Sequence, residues 1–147
     1  AVDPTHSLDK PAALDHRLLS IANQLASLLG LEAHCLHCYA PLPPSLLFDS
    51  DLVNHYQQYL AESSQQHRKA FDELLRLYPQ VQAHSHLVEG YPEETIPHVV
   101  REQSIDLLLI GAIARGQLAN ALIGNTAERV LEQVDCDLLV INGRPEK

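Results

Sequence analysis

The apolar stretch IDLLLI, at residues 105–110, restricts the possible folds of this chain more than any other segment. It is followed directly by Gly111, a residue type that often ends a regular element. A continuous apolar run bounded in this way is typical of a strand that is covered on both faces, as the strands of parallel sheets are. Residues 105–110 therefore predict a buried strand in a sheet that has helices on both sides.

Helical and strand patterns alternate along the rest of the chain. Leucine and isoleucine residues at spacings of 4, 3, 4 and 3 predict a helix over residues 14–28, which Gly30 ends. Alternation of this kind predicts an α/β fold with a mostly parallel sheet. The further predicted elements are strands at residues 1–3, 32–39, 81–89 and 138–141, and helices at residues 53–78, 92–103 and 125–133.

Several candidate ligand-binding positions follow directly on predicted strands. Asp3, Cys38, Gly90 and Gly111 all lie at or just beyond the carboxyl end of such a strand. In open α/β sheets, ligands bind in the crevice outside the carboxyl ends of the strands. We therefore expect a binding site where these positions meet.

Length, charge and cysteine content narrow the class of protein. The 147 residues suit one domain, and no apolar run approaches the roughly 20 residues that cross a bilayer. A net charge of −9 disfavours a nucleic-acid partner, because duplex binding depends on neutralising phosphates. Three cysteines without a secretion signal indicate free thiols, so we expect a cytoplasmic protein. The abrupt start at AVD and the lack of methionine lead us to expect a piece of a longer polypeptide.

The histidine- and cysteine-rich segments raise the question of a metal. HCLHC has the spacing of a zinc or redox motif, but side chains alternate along a strand, so Cys35 and Cys38 should point to opposite faces. His84 and His86 do share a face, and two histidines at that spacing can bind a metal, although the sequence shows no obvious third ligand. We therefore predict ordinary edge or surface histidines and no metal site, with metal binding as the alternative.

Sequence motifs of common enzymes are absent. The chain has no G-x-S-x-G nucleophile elbow, no G-x-G-x-x-G dinucleotide loop and no G-x-x-x-x-G-K-[ST] phosphate loop. The segment GAIARGQLANALIGNTAERV, residues 111–130, is the remaining candidate. Gly111 would let the chain leave its strand tightly and approach a ligand closely. Residues 124–126 would open a helix whose free N–H groups favour an anion, but an ordinary strand-to-helix connection has the same composition.

At this segment the sequence resembles the universal stress protein family, whose signature is G-x2-G-x9-G-[ST]. Gly111 and Gly124 match the first and third glycines in register. Ala114 replaces the middle glycine, and Asn125 replaces the hydroxyl residue. The resemblance covers nearly the whole chain, including AVD, VEGYPEETI, IDLLLIG and CDLLVI. GYPEETIPHVV and GNTAERVLEQVDCDLLVI are similar to the second half of tandem, E-type members, which would make residues 1–147 one domain, the C-terminal half of a two-domain protein.

The resemblance implies a particular architecture and a particular interface. The fold would be a three-layer α/β sandwich with a five-stranded parallel sheet in the order 3-2-1-4-5, as in the adenine nucleotide alpha hydrolase-like fold. A second copy of the chain, or a tandem partner domain, would pair through the last strand. The residues of that strand expected at the interface are Leu138, Val140 and Ile141.

The resemblance further implies an adenine nucleotide site. The adenine would lie near the first-strand aspartate and the end of the second strand, which correspond to Asp3 and Cys38. No catalytic base belongs to such a site, so the resemblance implies a non-enzymatic stress-response regulator that binds ATP or AMP, with weak hydrolysis at most. The positions expected to contact the phosphates and ribose are Ile110, Gly111, Ala114, Gly124, Asn125 and Thr126.

The two departures from the signature have different consequences. If the backbone at Ala114 has a positive φ, alanine costs about 1 kcal/mol relative to glycine. Asn125 caps a helix as well as serine does but lacks the hydroxyl. Three other hypotheses stay open: a carrier or sensor of an apolar small molecule, suggested by the loops PLPPSLLF and QLANALIG; a domain that serves only for dimerisation; and an ATPase, for which no base is evident.

Overall fold

The structure, a computed structural model, describes residues 1–5, 14–41, 55–112 and 125–142. Strands and helices alternate through these ranges, which confirms the predicted α/β class. None of the helices in the described ranges is both long enough and apolar enough to cross a membrane. The elements are α1 (Leu14–Leu29), β1 (Cys35–Tyr39), α2 (Tyr56–Leu75), α3 (Pro79–Gln82), β2 (Ser85–Glu89), α4 (Pro92–Glu102), β3 (Leu107–Ala112), α5 (Asn125–Leu131) and β4 (Asp137–Asn142).

The described strands form two parallel pairs. β1 pairs with β2, with Cys35 opposite Ser85, and β3 pairs with β4, with Leu107 opposite Asp137. Parallel neighbours cannot be joined by a tight turn, so the intervening chain crosses over through helices. The pairing therefore agrees with the parallel arrangement that the alternating pattern predicts.

The N-terminal segment contacts both strand pairs. Val2 forms an isolated parallel bridge with His37 of β1. The main-chain nitrogen of Ala1 donates a hydrogen bond of 2.7 Å to the carbonyl oxygen of Leu109 in β3. The segment therefore lies within hydrogen-bonding distance of both β1 and β3. The five-stranded order 3-2-1-4-5 and the three-layer sandwich stay predictions.

Apolar side chains form two clusters that use opposite faces of the strands. In β1, Cys35 belongs to the cluster that contains Leu18 of α1 and Leu75 of α2, whereas Leu36 belongs to the cluster that contains Val99 of α4 and Val130 of α5. Because neighbouring residues of a strand point to opposite faces, both faces of β1 are covered. The same alternation places Cys35 and Cys38 on different faces, as predicted.

The stop of the first helix follows the prediction. Gly30 has a positive φ of 66°, a conformation that glycine adopts without the steric cost that a Cβ imposes. The N–H of Leu31 donates to the carbonyl oxygen of Ala26 at 3.0 Å, the bond that closes a Schellman motif. Glycine at this position therefore ends α1 and satisfies a terminal carbonyl.

Three predicted strand boundaries are wrong. The strand predicted from residue 81 begins only at Ser85, because Pro79 starts the short helix α3 and the side chain of Val81 is buried in the first cluster. The strand predicted from residue 32 begins at Cys35. The strand predicted over residues 105–110 runs from Leu107 to Ala112, so it continues through the glycine that was expected to end it.

Candidate functional site

The end of the N-terminal segment lies beside the end of β1. The bridge between Val2 and His37 places the following residues, Asp3 and Cys38, next to each other. Burial raises the pKa of the Cys38 thiol to about 11, and the Asp3 carboxylate adds to this rise. Cys38 is therefore a neutral thiol near pH 7, which suits contact with a ligand better than nucleophilic attack.

Asp3 is held in place by a turn and by the first helix. Its backbone N–H donates to Oδ1 of Asp15 at 3.2 Å, and the hydroxyl of Thr5 donates to Oδ1 of Asp3 at 3.1 Å. Asp15 is buried in the first turn of α1, where the helix dipole favours a carboxylate. These bonds fix the Asp3 carboxyl group at the carboxyl edge of the sheet.

The reason for glycine at position 111 differs from the predicted one. Gly111 lies inside β3 opposite Ile141, and it is not among the described residues that have a positive φ. A Cβ at this position would lie 2.8 Å from Cδ2 and 3.1 Å from Cγ of Leu14. The missing side chain therefore allows α1 to pack closely on β3, and it does not release the chain from the strand.

The other predicted nucleotide contacts are spread between described and undescribed residues. The side chain of Ile110 is buried in the second cluster, so only its backbone can face a ligand. α5 includes Asn125, which was predicted as the cap of this helix, and the next residue, Thr126, is exposed. Ala114 and Gly124 lie outside the described residues. The nucleotide contacts themselves stay predictions.

Gly90 joins β2 to α4 at the same edge. Its N–H donates to the carbonyl oxygen of Tyr39 at 2.8 Å, which extends the pairing of β1 and β2 by one bond. A Cβ at Gly90 would lie 2.3 Å from the hydroxyl oxygen of Thr95 on α4. Arg129 of α5 donates to Glu93 of α4 at 3.1 Å and so ties the two helices together near this edge. The absence of a side chain at Gly90 thus sets how closely α4 approaches the sheet.

A histidine pair beside this edge, of which one member is fully buried, was not predicted from the sequence. His37 is fully buried, and because a carbonyl can only accept, its Nδ1 donates to the oxygen of Val2 at 3.2 Å. Its Nε2 must then accept from Nδ1 of His67, 2.9 Å away. Burial lowers the pKa of both imidazoles. The available signal was strand alternation, which puts His37 on the same face as the buried Cys35.

A second histidine group includes a third candidate metal ligand that was not evident from the sequence. Glu32, His34 and His84 bring one ligand atom each to within 4.8 Å of one another. His86, which shares a strand face with His84 as predicted, has its ring stacked on that of His34. Parallel pairing of β1 and β2 brings residues about 50 positions apart into contact, so Glu32 and His34 join His84 in a grouping that the sequence did not show. The prediction of ordinary edge or surface histidines without a metal stays a prediction.

Comparisons with known proteins identify the family. The sequence profile of the Universal stress protein family matches residues 8–142. The chain belongs to the universal stress protein family. The family membership predicted from the glycine signature is thereby confirmed.

Relatives of this universal stress protein domain include longer proteins. Universal stress protein E of Salmonella typhi is 30% identical over 138 residues, which are 88% of this chain and 41% of that protein. The chain thus spans about two fifths of the length of that relative. A protein of unknown function from Pseudomonas aeruginosa PAO1 has a similar structure, with a TM-score of 0.73 and 25% identity over 96% of this chain and 45% of its own. A universal stress protein in complex with cAMP has a TM-score of 0.53 and 18% identity, with 87% of each chain covered.

Proposed function

We propose that this chain is a non-enzymatic regulatory domain of the stress response that binds ATP or AMP at the carboxyl edge of its sheet. The domain pairs with a like domain through β4, either a second copy or the other half of a tandem protein. Family membership supports the regulatory role, and the partial coverage of the Salmonella relative supports the tandem arrangement.

The observation that carries the proposal is the meeting of Asp3 and Cys38 at one edge. The contacts of Val2 with β1 and of Ala1 with β3 hold this segment between the two strand pairs. A carboxylate can accept from the amino group of adenine, and a neutral thiol offers a soft surface for the ring. Both groups are already oriented, so the protein loses little conformational entropy when the ligand binds.

The same contacts support the finer architecture. If residues 1–3 are the middle strand, the two described pairs join into one sheet of five strands. With residues 1–3 counted as strand 1 and β1–β4 as strands 2–5, their order is 3-2-1-4-5. The apolar clusters on both faces of β1 then correspond to the two helical layers of a sandwich. In this arrangement the carboxyl ends of β1, β3 and the first segment form one crevice.

The state of the titratable groups supports a binding role over catalysis. Cys38 is protonated near neutral pH, because burial raises the pKa of its thiol to about 11, so it is not poised as a nucleophile. We therefore place the domain among binders and regulators.

Nucleotide binding is tested by calorimetry with ATP, AMP and, because of the cAMP complex of a structural relative, cAMP. We expect saturable binding of ATP or AMP that weakens at least tenfold in Asp3→Asn, since a bond to a charged acceptor contributes roughly 1.5–3 kcal/mol. Ala114→Gly should strengthen binding by up to about fivefold if the nucleotide-bound loop requires a positive φ at this position. Asp72→Asn, at an exposed position of α2, is the control and should leave the affinity unchanged. Equal affinities in wild type and Asp3→Asn, or no binding at all, would refute the nucleotide site.

Pairing through β4 is tested best at Leu139. Of the residues predicted for the interface, Leu138 and Val140 pack against the second cluster and Ile141 is buried in the first, so a charge there would disturb the core. Leu139 is 37% exposed on the same strand. We expect Leu139→Glu to convert a dimer to a monomer in light scattering after size exclusion, whereas Leu28→Glu, at an exposed position of α1, leaves the dimer intact. A monomeric wild type, or a dimeric Leu139→Glu, contradicts self-pairing through β4.

A further inference from the structure

The strongest unassigned feature is the histidine group at the amino ends of β1 and β2. Glu32 and His34 precede β1, and His84 precedes β2. The N–H of Cys35 donates to the carbonyl oxygen of His84 at 3.0 Å, so the two chain segments are already held together at this point. Amino and carboxyl ends of parallel strands lie at opposite edges of a sheet. The group is therefore separate from the proposed nucleotide site.

The three side chains converge in the way that a metal site requires. Oε1 of Glu32 lies 2.8 Å from Nε2 of His34 and 3.5 Å from Nδ1 of His84. Around a tetrahedral ion with bonds of about 2.0–2.2 Å, ligand atoms are separated by roughly 3.3–3.5 Å. The separation of 3.5 Å already matches this range, the hydrogen bond of 2.8 Å has to lengthen by roughly 0.5 Å, and all three ligand atoms lie within 4.8 Å of one another, so small side-chain movements suffice to admit an ion. We propose that Glu32, His34 and His84 bind a divalent transition-metal ion of the zinc class.

The donor set decides the class of ion. Two imidazole nitrogens and one carboxylate oxygen suit zinc, cobalt, nickel or copper, whereas calcium and magnesium require mainly oxygen ligands. The exposed fractions of the side chains are 16% for His34, 41% for His84 and 63% for Glu32. An ion bound there has direct access from solvent, and water completes its coordination at the open position.

His86 is a positioning residue for this site. Its Nε2 lies 3.0 Å from Nδ1 of His34, and the two rings stack with their centroids 5.2 Å apart and their planes at 9°. When Nε2 of His34 binds a metal, its proton must reside on Nδ1, which then donates to His86. Metal-binding histidines usually donate their second ring N–H to such a partner, and loss of the partner weakens metal binding about 10–100-fold.

The ligands are tested by titrating the full chain with zinc chloride in a calorimeter, without nucleotide. We expect one ion per chain, with an affinity at least tenfold lower in His84→Ala and in Glu32→Gln, whose side chain is nearly isosteric. His98→Ala is the matched control. His98 also lies near a glutamate, with its Nε2 3.8 Å from Oε2 of Glu102, but it does not belong to the group of Glu32, His34 and His84. This variant should bind zinc as the wild type does. Because nucleotide is absent, failure here is independent of the nucleotide proposal.

The role of His86 requires a different comparison. His86→Leu should weaken zinc binding by roughly tenfold or more, and His86→Gln should restore most of the affinity, since its amide oxygen can accept from His34. Circular dichroism of each variant confirms folding.

An unchanged affinity in His84→Ala, or no saturable binding in the wild type, would overturn the site. Cobalt(II) provides a second readout: a strong thiolate charge-transfer band would place the ion on a cysteine and would also overturn it.

Discussion

Replacing Gly90 by alanine is expected to lower the free energy of unfolding by about 2 kcal/mol, within the range of overpacked sites. The new Cβ would lie 2.3 Å from the hydroxyl oxygen of Thr95, a buried and β-branched residue of α4 that has few alternative rotamers. Movement of the backbone away from Thr95 would break the bond from the Gly90 N–H to Tyr39. Urea denaturation of wild type and variant measures the difference.

A double variant separates this contact from other effects of alanine. Thr95→Ala removes the hydroxyl oxygen while leaving its Cβ 3.7 Å from the position of the new methyl group, an ordinary contact distance. We expect Gly90→Ala in the Thr95→Ala background to cost much less than in the wild type, which appears as a coupling energy between the two positions. Two outcomes would show that the packing of α4 does not depend on this contact: strictly additive losses in the free energy of unfolding, or a Gly90→Ala variant as stable as the wild type.

Acidification from pH 7 to pH 5.5 is expected to destabilise the protein through the pair formed by His37 and His67. Burial lowers the pKa of His37 and His67 below their ordinary 6.5, although the nearby Asp3 carboxylate opposes this change in both. The unfolded chain therefore takes up protons first as the pH falls through 6.5, and the free energy of unfolding decreases until the folded-state pKa values are reached. Where one histidine is protonated in the unfolded chain and neutral in the folded protein, the free energy of unfolding falls by about 1.4 kcal/mol for each unit of pH decrease. His67 contributes less than this, because it is only partly buried.

The measurement is urea denaturation at several pH values between 7 and 5.5, above the range in which ordinary carboxylates titrate. His67→Gln keeps a donor for Nε2 of His37 but removes one titrating imidazole. We expect stability in this variant to fall less steeply with pH than in the wild type. The same slope in both proteins would exclude His67 as a contributor, and a wild type of constant stability would refute the prediction for both histidines.

Local pattern and tertiary contact explain different parts of the candidate sites. Asp3 and Cys38 could be placed at one edge from the sequence, because both follow predicted strands and carboxyl ends of parallel strands meet. The cluster of Glu32, His34 and His84 could not be placed, because its existence depends on the register of β1 against β2. A shift of one residue would turn every side chain to the other face, and no local pattern specifies that register between distant segments.

The amino-acid sequence was sufficient to establish the α/β class, the stop of α1 at Gly30 and the family, because apolar periodicity, a positive-φ glycine and spaced motifs are properties of short segments. The reason for glycine at position 111 required the folded domain, since only the packed position of Leu14 shows what a Cβ there would meet. The contacts of the N-terminal segment with both strand pairs also required it. These features arise from contacts between residues far apart in the chain, whose distances depend on how the whole domain packs.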